Sequence, residues 1–304
     1  MMEVFYLTKR NCLIFVREKS AVFFSVLSML IVLGLMVLYL GRMNSISLLN
    51  MLAEFGGERD TVKDEENAAY LIRLWTLAGI LVVNAVTVTL TVTGTMVQDE
   101  TEKRIMAFYV TPVSRLKLSL GYILASWLVG FGMCLVTLTA GEGYFLIQGY
   151  PLLAPDNLIK LCGMIALNTF TFSALGYLLA LFVHGAKAWS GMLTIIGTLV
   201  GFAGGIYLPM DSLSEQVRNV LKCLPVIHGA SMMRKVCTDE AIRVTFEGLP
   251  DVAGDMFREA MGITLTAGAG EDIITLGGQV CILLLYAIIA IIIAVLLNRR
   301  RKLV

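Results

Sequence analysis

The residues with the most definite chemistry lie in one short run, Gln98-Asp-Glu-Thr-Glu-Lys-Arg-Ile-Met-Ala-Phe-Tyr-Val-Thr-Pro112. Its side chains suit charge pairing and protein contact rather than bond making. Asp99 with Glu102 has the spacing of a helix cap, and Asp99 to Lys103 and Glu100 to Arg104 are acid-before-base pairs four residues apart. Pro112 is a stop signal. The expected element is a short helix from Asp99 to Tyr109 with Ile105, Phe108 and Tyr109 on one face. Such a face suits docking of another protein. It equally suits a solvated connector whose apolar side rests on a membrane.

A second pattern is a stripe of small polar residues, Asn84, Thr87, Thr91 and Thr95, spaced so that they share one side of a helix. Asn168, Thr169, Thr171 and Ser173 form another such group. These residues are candidates to line a translocation path, although hydroxyls within apolar helices more often bond carbonyls of their own helix or a neighbour. Gly197, Gly201 and Gly205 recur every four residues and leave a flat strip for close helix packing. Bond-making chemistry is missing from the sequence. There is no GxxxxGK[ST] phosphate loop and no HExxH, and the two histidines, His184 and His228, stand outside any ligand spacing. The six cysteines form no CxxC pair, so no metal site and no catalytic residue is expected. A disulfide between Cys223 and Cys237 is left open by the spacing.

These residues must be positioned by membrane-crossing helices. Charged residues make up 15% of the chain and hydrophobic ones 57%, whereas a soluble domain carries about 25% charged residues. Apolar runs long enough to span a bilayer cover Ala21 to Leu40, Leu74 to Val97, Leu118 to Ala140, Leu158 to Val183, Trp189 to Leu208 and Leu276 to Leu297. The fold class is therefore all-α, a polytopic membrane protein with six transmembrane helices. Lys9, Arg10, Arg17, Lys19, Lys103, Arg104, Arg115, Lys117, Lys187 and the terminal Arg299 to Lys302 all fall on one side, which places both termini in the cytoplasm. On that side residues 1–20 are expected to form an interfacial helix and residues 98–117 a cytoplasmic segment. Residues 42–73 and 209–275 are the expected extracellular segments. The first is broken at Gly56-Gly57. The second contains an amphipathic helix that begins at a Ser212/Glu215 capping box, shows Leu213, Val217, Val220 and Leu224 at helical spacing, and ends at Pro225. The spans hold few charges. Lys160 and Glu142 read as interface residues, which argues against a self-powered carrier. Basic residues occur in short clusters and not along one face, so nucleic acid is not an expected partner.

Three features together resemble the ABC-2 type permeases, the membrane halves of ATP-binding-cassette exporters. They are the acid-base run followed by Thr111-Pro112-Val113-Ser114 and Leu120-Gly121-Tyr122, the sixfold hydropathy profile with an inner interfacial helix, and the motif Gly205-Ile-Tyr-Leu-Pro209-Met ending at Leu224-Pro225. The resemblance implies one 304-residue transmembrane domain with no ATPase site of its own, set in a cell membrane, with the bacterial cytoplasmic membrane as the expected one. It further implies a coupling helix at Asp99 to Tyr109, with Glu100, Glu102 and Arg104 making polar contacts to a separate ATPase. Partners would be two ATPase copies, which bring ATP and Mg, and a second permease subunit, within membrane lipid. The cargo would be an amphipathic or apolar molecule such as a drug, an antimicrobial peptide or a lipid-like compound. The segment from Asp239 to Thr275 is longer than in many members. Competing readings are an ATP-independent channel or carrier, and a sensor or scaffold that binds a ligand through its extracellular segment.

Overall fold

The computed structural model describes residues 2–35, 41–55, 60–109, 113–205, 209–266 and 273–300. Among these the chain is helical apart from short turns and one antiparallel pairing of Thr266 with Ile273. The order is α1 (Met2–Arg17), α2 (Lys19–Leu35), α3 (Gly41–Glu54), α4 (Thr61–Thr101), α5 (Ile105–Tyr109), α6 (Arg115–Ile147) and α7 (Pro155–Ala180). Then follow α8 (Ala186–Ala203), a 3-10 turn (Met210–Ser212), α9 (Glu215–Lys222), α10 (Pro225–Thr245), α11 (Asp251–Ala260) and α12 (Leu276–Arg300). Helices α4, α6, α7, α8 and α12 are long and apolar enough to cross a bilayer. The protein is thus a multi-pass, all-α membrane protein. The first expected span begins as α2, and its last residues, 36–40, lie outside the described residues.

The axis of the fold is α4. Its 41 residues make a rod about 60 Å long at 1.5 Å per residue, roughly twice the hydrocarbon thickness. Leu71, Ile72, Leu74, Trp75, Leu81, Val82 and Ala85 are fully or almost fully buried beneath the surrounding helices. The rod starts well before the expected span because Asp60 caps it, accepting hydrogen bonds from the backbone of Val62 and Lys63 at 3.1 and 3.4 Å. Much of the segment expected as polar and extracellular, residues 42–73, is therefore helical, in α3 and the first turns of α4. The Gly56-Gly57 break lies outside the described residues.

Helices α6 and α7 pack against α4 through missing side chains. A Cβ on Gly130 of α6 would stand 2.5 Å from Thr89 Cγ2 of α4. Glycine there lets the two backbones approach closely, and Ser126 Oγ donates to the Thr89 carbonyl at 2.6 Å across the same contact. By contrast α8 and α12 are largely exposed, with Ile195, Leu199 and Phe202 of α8 and Leu285, Ile288 and Ile292 of α12 on the surface.

The largest departure from expectation is the second long segment. Ser212 ends the 3-10 turn and donates to the Pro209 carbonyl at 2.7 Å, so it does not cap a helix. The amphipathic helix is the short α9, preceded by Ser214 with no side-chain cap bond, and Leu213 lies outside it. Pro225 does not end that helix but opens α10, a position where proline's missing N–H is harmless. Helix α10 is mostly buried against α4, α7 and α12. All six cysteines are free, with Cys237 buried and Cys223 exposed.

Substituting Gly130→Ala should lower stability by about 1–3 kcal/mol through overpacking, read as a shift in the thermal melt of the detergent-purified protein. Adding Thr89→Ser, which removes the opposing methyl, should restore most of the loss. An unchanged melt for the single variant would show that α4 and α6 are not in close contact.

Candidate functional site

At the end of the molecule that carries the basic clusters, α4 runs on through Asp99 to Thr101 instead of starting a new helix at Asp99. It stops because Lys103 takes a left-handed conformation, φ +60°, unusual for a residue with a Cβ. After this reversal the short α5 holds only Ile105–Tyr109. The expected helix from Asp99 to Tyr109 is therefore two pieces joined by a sharp turn. Thr111 and Pro112 lie outside the described residues, so the expected proline stop does too.

Asp99 is no cap. Its carboxylate has no exposed surface, and Arg10 of α1 grips it with two donors, at 2.6 and 3.0 Å. The Tyr122 hydroxyl of α6 donates to it at 2.7 Å, and Arg104 approaches at 3.7 Å. The fork of Arg10 matches the two oxygens of a carboxylate, and such charge-assisted bonds compensate a charge removed from water. The hydrogen bond to Asp99 raises the Arg10 guanidinium above its ordinary value. Arg10 also lies 5.2 Å from the Phe108 ring centre, so one cation holds both the end of α4 and the body of α5.

Burial divides the residues expected to face a partner. Ile105 is buried and Phe108 half-buried under Arg10, so neither offers the free apolar face that the sequence suggests. Asp99 is likewise withdrawn from any partner. Glu100 is half-buried. The side chain of Tyr109 lies outside the described set. What protrudes is Gln98, Thr101, Glu102, Lys103, Arg104, Met106 and Ala107. Glu102 pairs with Arg104 and accepts from Gln98 at 3.0 Å. The sequence reading assigns no site role to Arg10, Tyr122 or Met106, although Arg10 stands among its basic residues and Tyr122 in its Leu120-Gly121-Tyr122 motif. A usable signal existed: Val92, Met96 and Asp99 follow i, i+4, i+7 spacing, which puts Asp99 on the buried side of α4.

A polar chain leads from this cluster into the spans. Tyr122 stacks on Tyr177 of α7 with ring centres 6.4 Å apart, and the Tyr177 hydroxyl donates to Ser119 at 2.8 Å. Asn298 of α12 donates to the same Ser119 at 2.9 Å, while Arg115 donates to the Asn298 carbonyl at 2.8 Å. Helix α1 is fixed to α6 by Lys117 with Glu3 at 2.8 Å and by Leu7 lying over Gly121.

The chain matches the family model described as ABC-2 family transporter protein over residues 58–296. The chain belongs to the ABC-2 transporter family. No curated protein matches it. ABC-2 proteins of this kind are the membrane subunits of ATP-binding-cassette transporters and work with an ATPase that carries the nucleotide site.

The polar residues expected along a path mostly satisfy carbonyls of their own helices, and Asn84 alone among them donates to a side chain of a neighbouring helix. Asn84 donates to Thr137 Oγ1 of α6 at 2.7 Å, and Thr95 and Thr169 donate to carbonyls of their own helices. Asn168 donates to the Met164 carbonyl at 3.0 Å. Thr87 and Thr91 also bond back to their own helix, but they are half-buried, and a Cβ added at Gly197 of α8 would meet the Thr87 methyl at 3.9 Å. Within the glycine strip, Gly201 and Gly205 are buried and Gly205 adopts φ +62°. Glu142, expected at an interface beyond the third span, lies inside α6 and is 9% exposed, accepting from the Leu153 N–H at 3.0 Å.

Alanine at Arg10 and at Asp99 should be strongly non-additive. Arg10 keeps 31% of its side-chain surface, so a double-mutant cycle should return about 1–3 kcal/mol rather than the 3–5 typical of breaking a fully buried pair. Additive losses in a denaturation series would mean that the two side chains do not act on each other.

Proposed function

We propose that this permease is half of the membrane part of an exporter, paired with a second permease subunit and driven by two copies of a separate ATPase. The observation that carries this reading is the prong itself. A small exposed surface, Glu102, Lys103, Arg104, Met106 and Ala107, projects from the end of the central rod and is rooted in the bundle by a carboxylate that is wholly buried. An isolated connector needs no such anchorage; a lever that receives force does. The ATPase, with its ATP and Mg, docks on Glu102, Lys103, Arg104 and Met106, while Glu100 lies at the edge of the contact.

The prong and the basic clusters face the cytoplasm, in keeping with the bias of Lys and Arg toward that side. The membrane is a cell membrane, of the bacterial cytoplasmic kind. Movement of the prong tilts α4, and the polar chain through Tyr122, Tyr177 and Asn298 carries the displacement to α6, α7 and α12, shifting the membrane part between two conformations. Thr87 and Thr91, beside the sparsely packed α8, are the residues placed to meet cargo. Their surroundings offer hydroxyls and apolar surface without charge, which suits an amphipathic or apolar molecule moving outward.

Replacing Met106→Asp together with Lys103→Glu puts acids on the docking surface and leaves Asp99, Arg10 and Arg104 in place. Copurification of the ATPase should fall at least about tenfold, equivalent to about 1.4 kcal/mol, and ATP-dependent transport into inverted vesicles should fall with it while the thermal melt stays unchanged. Wild-type copurification and transport would remove the prong from the coupling route.

A further inference from the structure

The end of the molecule opposite the prong contains a charge with no carboxylate partner. Arg234 of α10 has no exposed surface. One terminal nitrogen donates to the carbonyls of Gly204 and Gly205, at 2.8 and 2.9 Å, where α8 ends. The other donates to the Met261 carbonyl at 3.3 Å. The guanidinium lies 4.4 Å from the ring centre of Trp75 on α4, and Trp75 donates to that same Met261 carbonyl at 2.9 Å. Arg234 Nε has no partner, and among the described residues no acid lies within ion-pair distance. Burial pushes the Arg234 guanidinium down to about 9.

Two physical facts follow. The negative end of the α8 dipole and three carbonyls stand in for an anion, which is enough to retain a cation at a helix C-terminus. They do not bind it as a carboxylate would, and a guanidinium exposed to water recovers its hydration. Release therefore breaks no ion pair, only the carbonyl bonds and the ring contact, and water replaces the carbonyls. Helix α8 is also the span with the least support. Its outward side carries Ile195, Leu199 and Phe202, and its inward side meets the bundle through Trp189 seated on Gly94, the half-buried Met192, Leu193 and Ile196, and the buried Val200.

We propose that Arg234 is a releasable latch on the outer end of α8, holding it against α4 and α10 until transport requires that end to swing away. The latch rests on the exporter reading for its purpose, because an outward-moving cargo needs an opening on this side. In the held state Arg234 bridges α8, α4 and the turn after α11. In the released state water replaces the Gly204 and Gly205 carbonyls around the guanidinium, while α10 stays anchored through Ser231, which donates to the Ile263 carbonyl at 2.7 Å and accepts from Gln279 of α12 at 2.9 Å.

The test uses the full chain in nanodiscs with spin labels at exposed Leu199 of α8 and exposed Glu240 of α10. Without nucleotide, the wild type should give one narrow distance population, and Arg234→Gln should add a second, longer one. Arg234→Lys, which keeps the charge but loses the fork, should fall between them. In vesicles with the ATPase, Arg234→Gln should transport at least about tenfold less cargo per ATP hydrolysed while hydrolysis continues. A folded Arg234→Gln with the wild-type distance and wild-type transport per ATP overturns the latch. If neither variant folds, the wild type decides. Lengthening of the Leu199–Glu240 distance on ATP binding supports release, and an unchanged distance overturns it. The nucleotide-free comparison needs no ATPase, so a failure of the exporter reading is distinguishable from a failure of the latch.

Discussion

A carboxylate deprived of all contact with water is stable only if the protein replaces that water, and Asp99 makes this demand at the end of the longest helix in the fold. Arg10 and Tyr122 meet it, and each comes from a different element. The result is mechanical as much as electrostatic. Helix α1 cannot leave α4 without stranding a buried charge, α5 is held under the same guanidinium through Phe108, and α6 contributes the hydroxyl. The turn at Lys103 then needs no contacts of its own to be placed, because the groups on both sides of it are fixed.

The two ends of the α4 rod are built on different principles. At the prong end a full ion pair locks three elements together, and a line of aromatic and amide groups extends the lock to α7 and α12. At the other end Arg234 gathers α8 and the chain after α11 through carbonyls, and α4 through the ring of Trp75, with no counter-charge. In the proposed coupling, displacement of the prong travels along a rod whose spanning stretch is largely buried, and α8, the least buried span, is the element that yields. The sparse packing of α8, against the thorough burial of α4, fits that division.

Hydropathy made the spans legible, since long apolar runs in lipid have few alternatives to helix. It also located α1 and the short amphipathic α9. Local signals misled where a tertiary partner decided the outcome. Asp99, Glu102 and Ser212 look like caps by spacing, yet Asp99 finds Arg10, which lies 89 residues away, and Ser212 serves a 3-10 turn. Pro225 suggests a stop by spacing, although proline is as suited to a first turn. No apolar period marks helix α10, because His228, Ser231, Arg234 and Thr238 interrupt it. Their burial is tolerable only through carbonyls at Lys222, Ile263, Gly204 and Arg234, most of them supplied by chain outside the helix. Sequence spacing does not reveal such partners, and the same holds for the threonines of α4, whose hydroxyls satisfy their own helix.

The central claim is that α1, the end of α4 and α5 move as one body under the ATPase. Spin labels at exposed Leu13 of α1 and Lys103 beside α5, measured in the assembled transporter with and without ATP, test it directly. The account predicts a Leu13–Lys103 distance that stays constant while the distance from Lys103 to Val252 on α11 changes. A Leu13–Lys103 distance that changes on ATP binding, with Asp99 and Arg10 intact, would contradict it.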